Sequence, residues 1–332
     1  MVSENLIDIK KNNIIKYDKE LLPILLKDHS SQKNIIWATD NYSFLGDGYG
    51  ETDEITVSQI TGKNGNIIKP RVNKNKTEQL FRVRDKAEVF TPSWICNAQN
   101  NLIDEAWFGR KNVFNKESTS KEGKCSWKSV ASRIIFPEDK SWKDYVRENR
   151  LEISCGEAPY LVSRYDATTG DAIPIEQRIG LLDRKLRVVG ENTETSTEWL
   201  EWAQTAYKSI YGFEYQGDNL LLAREALLYT FKDYYKHKFG KDPLPVSLKY
   251  IAYIVSWNIW QMDGLKGVIP NSCKIIEETS LFGDVTKIPC RGCQEDGFLS
   301  HTGVYCLVKD WRAKDPITKK LGRKYRFIDL IK

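Results

Sequence analysis

No stretch of this 332-residue chain is apolar over enough residues to cross a bilayer. The longest candidate, around Tyr250 to Trp260, is interrupted and falls short of the roughly 20 residues a spanning helix needs. The start also lacks an apolar segment, so no secretory signal is expected. A disulfide framework is missing too. Seven cysteines, an odd number scattered through a long chain, point instead to a reducing, cytoplasmic setting. Charge of one sign is absent: 50 basic against 45 acidic side chains leaves +5, which allows a polyanionic partner without demanding one. There is no internal repeat or low-complexity tract. No two prolines are adjacent anywhere.

What is present fits an ordinary globular protein: 41% hydrophobic and 29% charged residues, enough to bury a core without staples. Ten tryptophans are many for this length, and several adjoin basic residues, as in Trp127-Lys128, Trp142-Lys143 and Trp311-Arg312. Packing is the simplest reading of each. Leu21 to Leu26 reads as a short helix, Asn34 to Thr39 as a strand, and Lys63 to Lys86 as a basic link. Thr91-Pro92 opens a helix with Thr91 as cap, and Trp94, Ile95, Ala98, Leu102 and Ile103 form its expected inner face. Asn112 to Ser141 reads as a polar surface insertion.

The segment Leu151-Glu152-Ile153-Ser154-Cys155-Gly156-Glu157-Ala158-Pro159-Tyr160-Leu161 reads as a strand, a small-residue turn and the start of a helix. In α/β proteins that junction borders a ligand crevice. A polar loop (Asp166 to Glu176) follows, then a helix with Trp199, Trp202, Ala203 and Tyr207 on one side, ending at Tyr211-Gly212. After it come a strand at Phe213-Glu214-Tyr215, a helix over Leu220 to Tyr235, another over Pro243 to Ser256, and a strand ending at Gln261-Met262-Asp263-Gly264. Strand, helix, strand, helix, helix, strand is the rhythm of a doubly wound α/β sheet. Each strand ends near an acid: Glu152, Glu214 and Asp263. An acid after the second strand is where such folds hold a ribose diol.

The chain resembles the N6-adenine DNA methyltransferases of bacterial restriction-modification systems. Phe90-Thr91-Pro92, within Ala87-Glu88-Val89-Phe90-Thr91-Pro92, is similar to the family's "G-x-[FY]-[FY]-T-P" segment, and Glu152 to Leu161 to its "[DE]-P-x-C-G-x-G-x-F-L" loop. Tyr211-Gly212-Phe213-Glu214 with Ala223-Arg224-Glu225-Ala226-Leu227 is similar to its ribose-binding strand and helix. Asn258 to Leu265 is similar to its "N-I-x-x-G-D-x-L" strand. The resemblance covers about Ala87 to Leu265 in the family's order. It implies a Rossmann-like fold that binds S-adenosyl-L-methionine (AdoMet), with DNA as partner. Phe90, Thr91 and Pro92 would flank the methionine part; Glu152, Cys155, Gly156, Glu157, Ala158 and Pro159 would cradle its amino-acid end. Glu214, with Tyr215, would take the ribose, and Asp263, with Gly264, the adenine.

Two departures stand out. Ala158 replaces the loop's second glycine. The catalytic "[DNS]-P-P-[YFW]" motif, whose polar side chain and proline carbonyl accept the target amine's hydrogens while its aromatic residue stacks on the flipped base, is missing. Tyr325 to Lys332 looks like the run-up to that motif. The expectation is a split enzyme: this chain holds the cofactor, and a second polypeptide brings the catalytic loop and target recognition. The alternative is an inactive methyltransferase fold serving as a zinc-bearing DNA-binding subunit.

Near the end of the chain, Cys290-x2-Cys293-x7-His301-x4-Cys306 has the spacing of a closed, structural zinc site. Nearby Lys274, Lys287, Arg291, Lys309, Arg312 and Lys314 could track phosphates or solvate the lobe. The expected organisation is an accessory region (1–86), an AdoMet-binding domain (87–269), and a zinc-bearing insertion with a final strand (270–332).

Overall fold

Among the described residues, the helices before Phe90 are at most 11 residues long, and the longer ones lie beyond it. The computed structural model describes residues 11–86, 88–279, 285–295, 297 and 299–331. Ala87 and Lys332, the first and last residues of two of the segments read above, lie outside them, as do residues 1–10 of the accessory region. The described chain opens with α1 (Lys11–Tyr17), α2 (Leu21–Leu26), α3 (Lys76–Lys86) and α4 (Ser93–Phe108). A hairpin of β1 (Asn115–Thr119) and β2 (Cys125–Ser129) precedes α5 (Trp142–Arg147) and β3 (Arg150–Glu152). Then come α6 (Leu181–Asn192), α7 (Ser196–Lys208), β4 (Ile210–Glu214), α8 (Gly217–Phe239), α9 (Pro245–Asn258) and β5 (Ile259–Gln261). The pairs β6 (Ile276–Thr279) with β7 (Val285–Ile288), and β8 (Leu307–Lys314) with β9 (Leu321–Arg326), are separated by α10 (Arg291–Gln294).

Local chemistry sets the ends of the main helices. Thr195 accepts the Glu198 amide at 3.2 Å at the start of α7. Pro245 opens α9, where its missing N–H costs nothing. Gly240 ends α8 in the left-handed region at φ 69°, a conformation glycine adopts without penalty.

β3, β4 and β5 form one parallel sheet in that order, with Arg150 opposite Ile210 and Gly212 opposite Ile259. One face, through Ile210 and Ile259, joins a large core with Ala206, Leu227 and Val255 of the surrounding helices. The other face, through Phe213 and Trp260, packs on Val308, Tyr325 and Phe327 of the β8–β9 segment. In a doubly wound sheet helices cover both faces. Here a β-ribbon covers the second, so the architecture is mixed α/β with small sheets, one of them parallel.

Several expectations need correction. The Asn34–Thr39 strand is reduced to isolated bridges such as Ile36 with Glu54. The polar insertion contains the β1–β2 hairpin. Tyr211 and Gly212 lie inside β4, not at a helix end. No helix forms over 157–161, because Ser154, Gly156 and Ala158 all take left-handed φ values (49°, 55° and 62°) that break a helical run; the next long helix, α6, begins only at Leu181, where the sequence pattern predicts none. The segment from Tyr325 does not extend the parallel sheet, since β9 pairs antiparallel with β8.

The largest reversal concerns α4. Its apolar side faces out: Trp94, Leu102 and Ile103 are 43%, 64% and 38% exposed. Its inner side is polar because it meets the buried Arg184. That guanidinium pairs with Asp104 and donates to Asn97 and Asn101 at 3.0 and 2.8 Å. Asn100 donates to the Tyr160 and Ile179 carbonyls, both at 3.0 Å. The helix start is capped by Asp166, which accepts the Ser93 amide at 2.7 Å, and not by Thr91.

A second buried network ties the N-terminal region to α8. Arg82 pairs with Glu88 and with Asp218 at 2.8 Å, and donates to Gln216 at 2.6 Å. Tyr42 donates to the same Asp218 at 2.8 Å. Burial alone would raise the Asp218 carboxyl, but Arg82 and Lys74 outweigh it and hold it well below the ordinary carboxylate range.

Candidate functional site

The parallel register brings the carboxyl ends of β3, β4 and β5 side by side, and with them the segments carrying Glu152, Glu214 and Asp263. The chain leaving β3 bends back over β4, where the Cys155 amide donates to the Phe213 carbonyl at 2.8 Å. This turn holds Gly156 beneath Phe90, whose ring edge lies 3.9 Å from where a Gly156 side chain would begin. The Arg71 guanidinium sits 5.1 Å above the same ring. The expected neighbours Phe90, Gly156, Glu152 and Glu214 are therefore brought together.

The acids differ in how far the protein itself satisfies them. Glu214 accepts the Gly156 amide at 2.9 Å and the Gln216 amide at 3.0 Å, one on each carboxylate oxygen. Glu152 accepts the Tyr160 amide on Oε1 at 3.4 Å, while its buried Oε2 has no hydrogen-bond partner. Burial pushes Glu152 well above the ordinary carboxylate range; the Tyr160 and Leu161 amides pull it down, and the neighbouring Glu214 pushes it up again. Glu214 is raised as well, by burial first, against the Gln216 and Gly156 amides. Glu152 and Glu214 are thus two buried carboxyls on adjacent strands, and one of them keeps an oxygen without a hydrogen-bond partner.

The remaining expected residues divide. Cys155 and Ala158 are buried beside the turn, and Ala158, which stands where the resemblance has a glycine, takes a left-handed φ of 62°. Thr91, Pro92 and Pro159 are half-buried at its edge. Asp263 accepts the Leu265 amide at 3.0 Å and pairs with Lys266 at 3.4 Å, so its carboxylate is held within its own turn. Tyr215 is half-exposed and donates to Asn271 at 3.4 Å. Gly264 is a packing residue, since a side chain there would begin 2.8 Å from the Phe213 ring. Glu157 is committed internally, accepting the Arg71 amide at 2.7 Å and the Tyr165 hydroxyl.

The candidate metal site needs one substitution in its ligand set. Cys306 is excluded: it is fully buried in the second core, with Sγ 3.2 Å from the Gln261 carbonyl. Cys273 takes its place. The ligand atoms of Cys273, Cys290, Cys293 and His301 all lie within 4.8 Å of one another, and they could hold a metal ion. His301 Nδ1 is 3.6, 3.5 and 3.6 Å from the sulfurs of Cys273, Cys290 and Cys293. Tetrahedral zinc with bonds of about 2.3 Å to sulfur and 2.0–2.1 Å to nitrogen requires S···N edges of about 3.5–3.6 Å. The Thr302 amide donates to Cys290 Sγ at 3.3 Å, a hydrogen bond that steadies a thiolate there. Cys273 lies far upstream of the Cys-x2-Cys knuckle, so spacing alone gave no signal for it.

A cleft of about 670 Å³ opens elsewhere, between β2, α6 and the end of α8. Two of its guanidiniums are committed internally, Arg178 to Asp233 and Arg187 to Glu191, both at 2.7 Å. Comparison with protein families, curated proteins and solved structures found no match for the chain.

Proposed function

We propose that this chain is the AdoMet-binding component of an adenine-specific DNA methyltransferase, with the catalytic loop supplied by a partner polypeptide. The observation that carries this reading is the adjacency of three parallel strands whose tips bear Glu152, Glu214 and Asp263 around the Gly156 turn. On this reading the parallel trio is one half of a Rossmann-like sheet. Phe90 packs against the ligand over Gly156, and the open Glu152 carboxylate faces its positively charged end. The absence of any Pro-Pro pair in these 332 residues leaves the chain without the motif that would accept the target amine's hydrogens. The four-ligand Cys/His centre, closed to substrate, serves as a structural metal site, with zinc the best match to its donor set.

One observation favours the alternative, an inactive methyltransferase fold used as a DNA-binding subunit. Glu214, which the resemblance assigns to the ribose hydroxyls, already spends both carboxylate oxygens on backbone amides. Isothermal titration of AdoMet into the wild-type chain, Glu152→Gln and Asp263→Ala separates the two. Binding by the wild type that weakens at least tenfold in Glu152→Gln supports the cofactor role. No binding by the wild type, or equal binding by all three, overturns it.

A further inference from the structure

The charge of this protein is concentrated in one element. The ribbon from Leu307 to Arg326 carries eight basic and two acidic side chains, a net of +6, against +5 for the whole chain. The other 312 residues hold 42 basic and 43 acidic groups, a net of −1. Among the described residues only one of the ribbon's eight cations is ion-paired, Arg326 with Asp329 at 2.9 Å. The ribbon's own acids are used elsewhere. Asp310 accepts the Arg312 amide at 2.9 Å, and Asp315 accepts the Thr318 amide at 2.7 Å, both within the ribbon's backbone.

The pairing register adds a second observation. Lys309 stands directly opposite Lys324 across the two strands, an arrangement that is repulsive without a counter-charge. Both ammonium groups lie 5.3 Å from the Trp257 ring, and Lys309 is also 4.2 Å from Trp311. Aromatic faces hold the cations in place but do not neutralise them. Cations of the metal-bearing lobe differ, since Arg291 pairs with Glu295 at 2.8 Å and Lys287 with Glu277 at 3.6 Å.

Position completes the argument. The base of the ribbon packs on the parallel sheet near Gln261 and Phe213. Its strands then run back past the amino ends of the sheet, where Trp311 donates to Asn258 at 2.8 Å and Arg312 to Asn149 at 3.3 Å. We propose that this ribbon is a sequence-independent binding surface for duplex nucleic acid, its lysines and arginines contacting the phosphate backbone. A two-stranded antiparallel ribbon has the width of a DNA major groove, and the interleaved aromatics and unpaired cations match a polyanion of regular charge spacing. The inference does not depend on the cofactor reading, because none of its residues belongs to the strand-tip site.

The test uses the full chain and a labelled 20-base-pair duplex in a fluorescence polarisation titration. Wild type should bind duplexes of unrelated sequence, with affinity falling several hundred-fold between 50 and 200 mM salt if about five phosphates are neutralised. Replacing Lys314, Lys319, Lys320 and Lys324 together by Gln should weaken binding at least 50-fold at 50 mM salt and flatten the salt dependence. A matched variant with Lys63, Lys116, Lys121 and Lys241 changed to Gln should bind as wild type does, and circular dichroism of all three should coincide. Equal weakening by both quadruple variants, no duplex binding by the wild type, or tighter binding to phosphatidylserine vesicles or polyglutamate than to duplex overturns the proposal.

Discussion

The metal centre and the strand-tip acids are both clusters of candidate ligands, yet they are built on opposite terms. At the metal centre four side chains converge on one point, with His301 within 3.6 Å of all three sulfurs. At the strand tips the acids sit side by side, but two of the three are spent on the protein's own amides and on Lys266. Convergence without internal satisfaction marks a place prepared for a ligand. Proximity with satisfaction marks a place where the fold is closing itself. Only Glu152, with its open Oε2, shares the first property at the strand tips.

The comparison breaks most sharply at the metal. The purified chain should carry close to one zinc per molecule, and Cys273→Ser should lose nearly all of it by plasma emission spectrometry. Cys306→Ser should keep it, because that sulfur faces the Gln261 carbonyl. Loss in Cys306→Ser with zinc retained in Cys273→Ser would restore the ligand set read from spacing. Next in size is a pair that is satisfied internally. Asp104→Ala leaves the buried Arg184 without its carboxylate and should cost about 3–5 kcal/mol in urea unfolding. Leu102→Lys, on the outward side of the same helix, should change stability by about 0.5 kcal/mol or less. The opposite ranking would mean that α4 packs by its apolar side after all.

At the strand tips, Glu214→Leu should cost about 2–3 kcal/mol by stranding the Gly156 and Gln216 amides, whereas Glu152→Gln should be near neutral. The smallest effect is in pH. The folded Glu152 carboxyl is raised, so the folded state binds its proton more tightly than the unfolded chain does. Its contribution to stability is full below an unfolded value of about 4.3 and is lost as pH rises from there. Glu152→Gln should remove that slope in unfolding curves. His29 runs the other way. Burial first, then Arg224, Lys27 and the ribbon's Lys309 and Lys324, lower its pKa to about 3. Its contribution is present above about 6.5 and declines as pH falls toward that lower value. His29→Gln should flatten the acid limb alone.

Much of the scaffold was legible from local pattern. The helices α2, α7, α8 and α9 and the strand tips at Glu152 and Glu214 follow from periodicity, caps and turn residues that act within a few positions. The helix α6 carries no clear amphipathic signal in the sequence, because its buried side mixes Leu182, Leu186 and Val189 with the charged Asp183, Arg184 and Lys185. Charge ordinarily signals a solvated face. Lys185 is buried nonetheless, satisfied by the Val146 carbonyl at 3.1 Å and the Ser209 hydroxyl at 2.6 Å.

The amino-acid order by itself determined where the chain turns, which segments are helical, and that a Cys-x2-Cys knuckle with His301 stands ready for a metal. Those properties depend on neighbours along the chain. Tertiary structure alone decided that Cys273 joins the cluster that could hold a metal ion, that α4 buries its polar side, and that a charged ribbon replaces helices on one face of the sheet. Each depends on a partner far away in sequence, such as Arg184 beneath Asp104 or Gln261 beside Cys306, and long-range pairing leaves no periodic trace in the residues that make it.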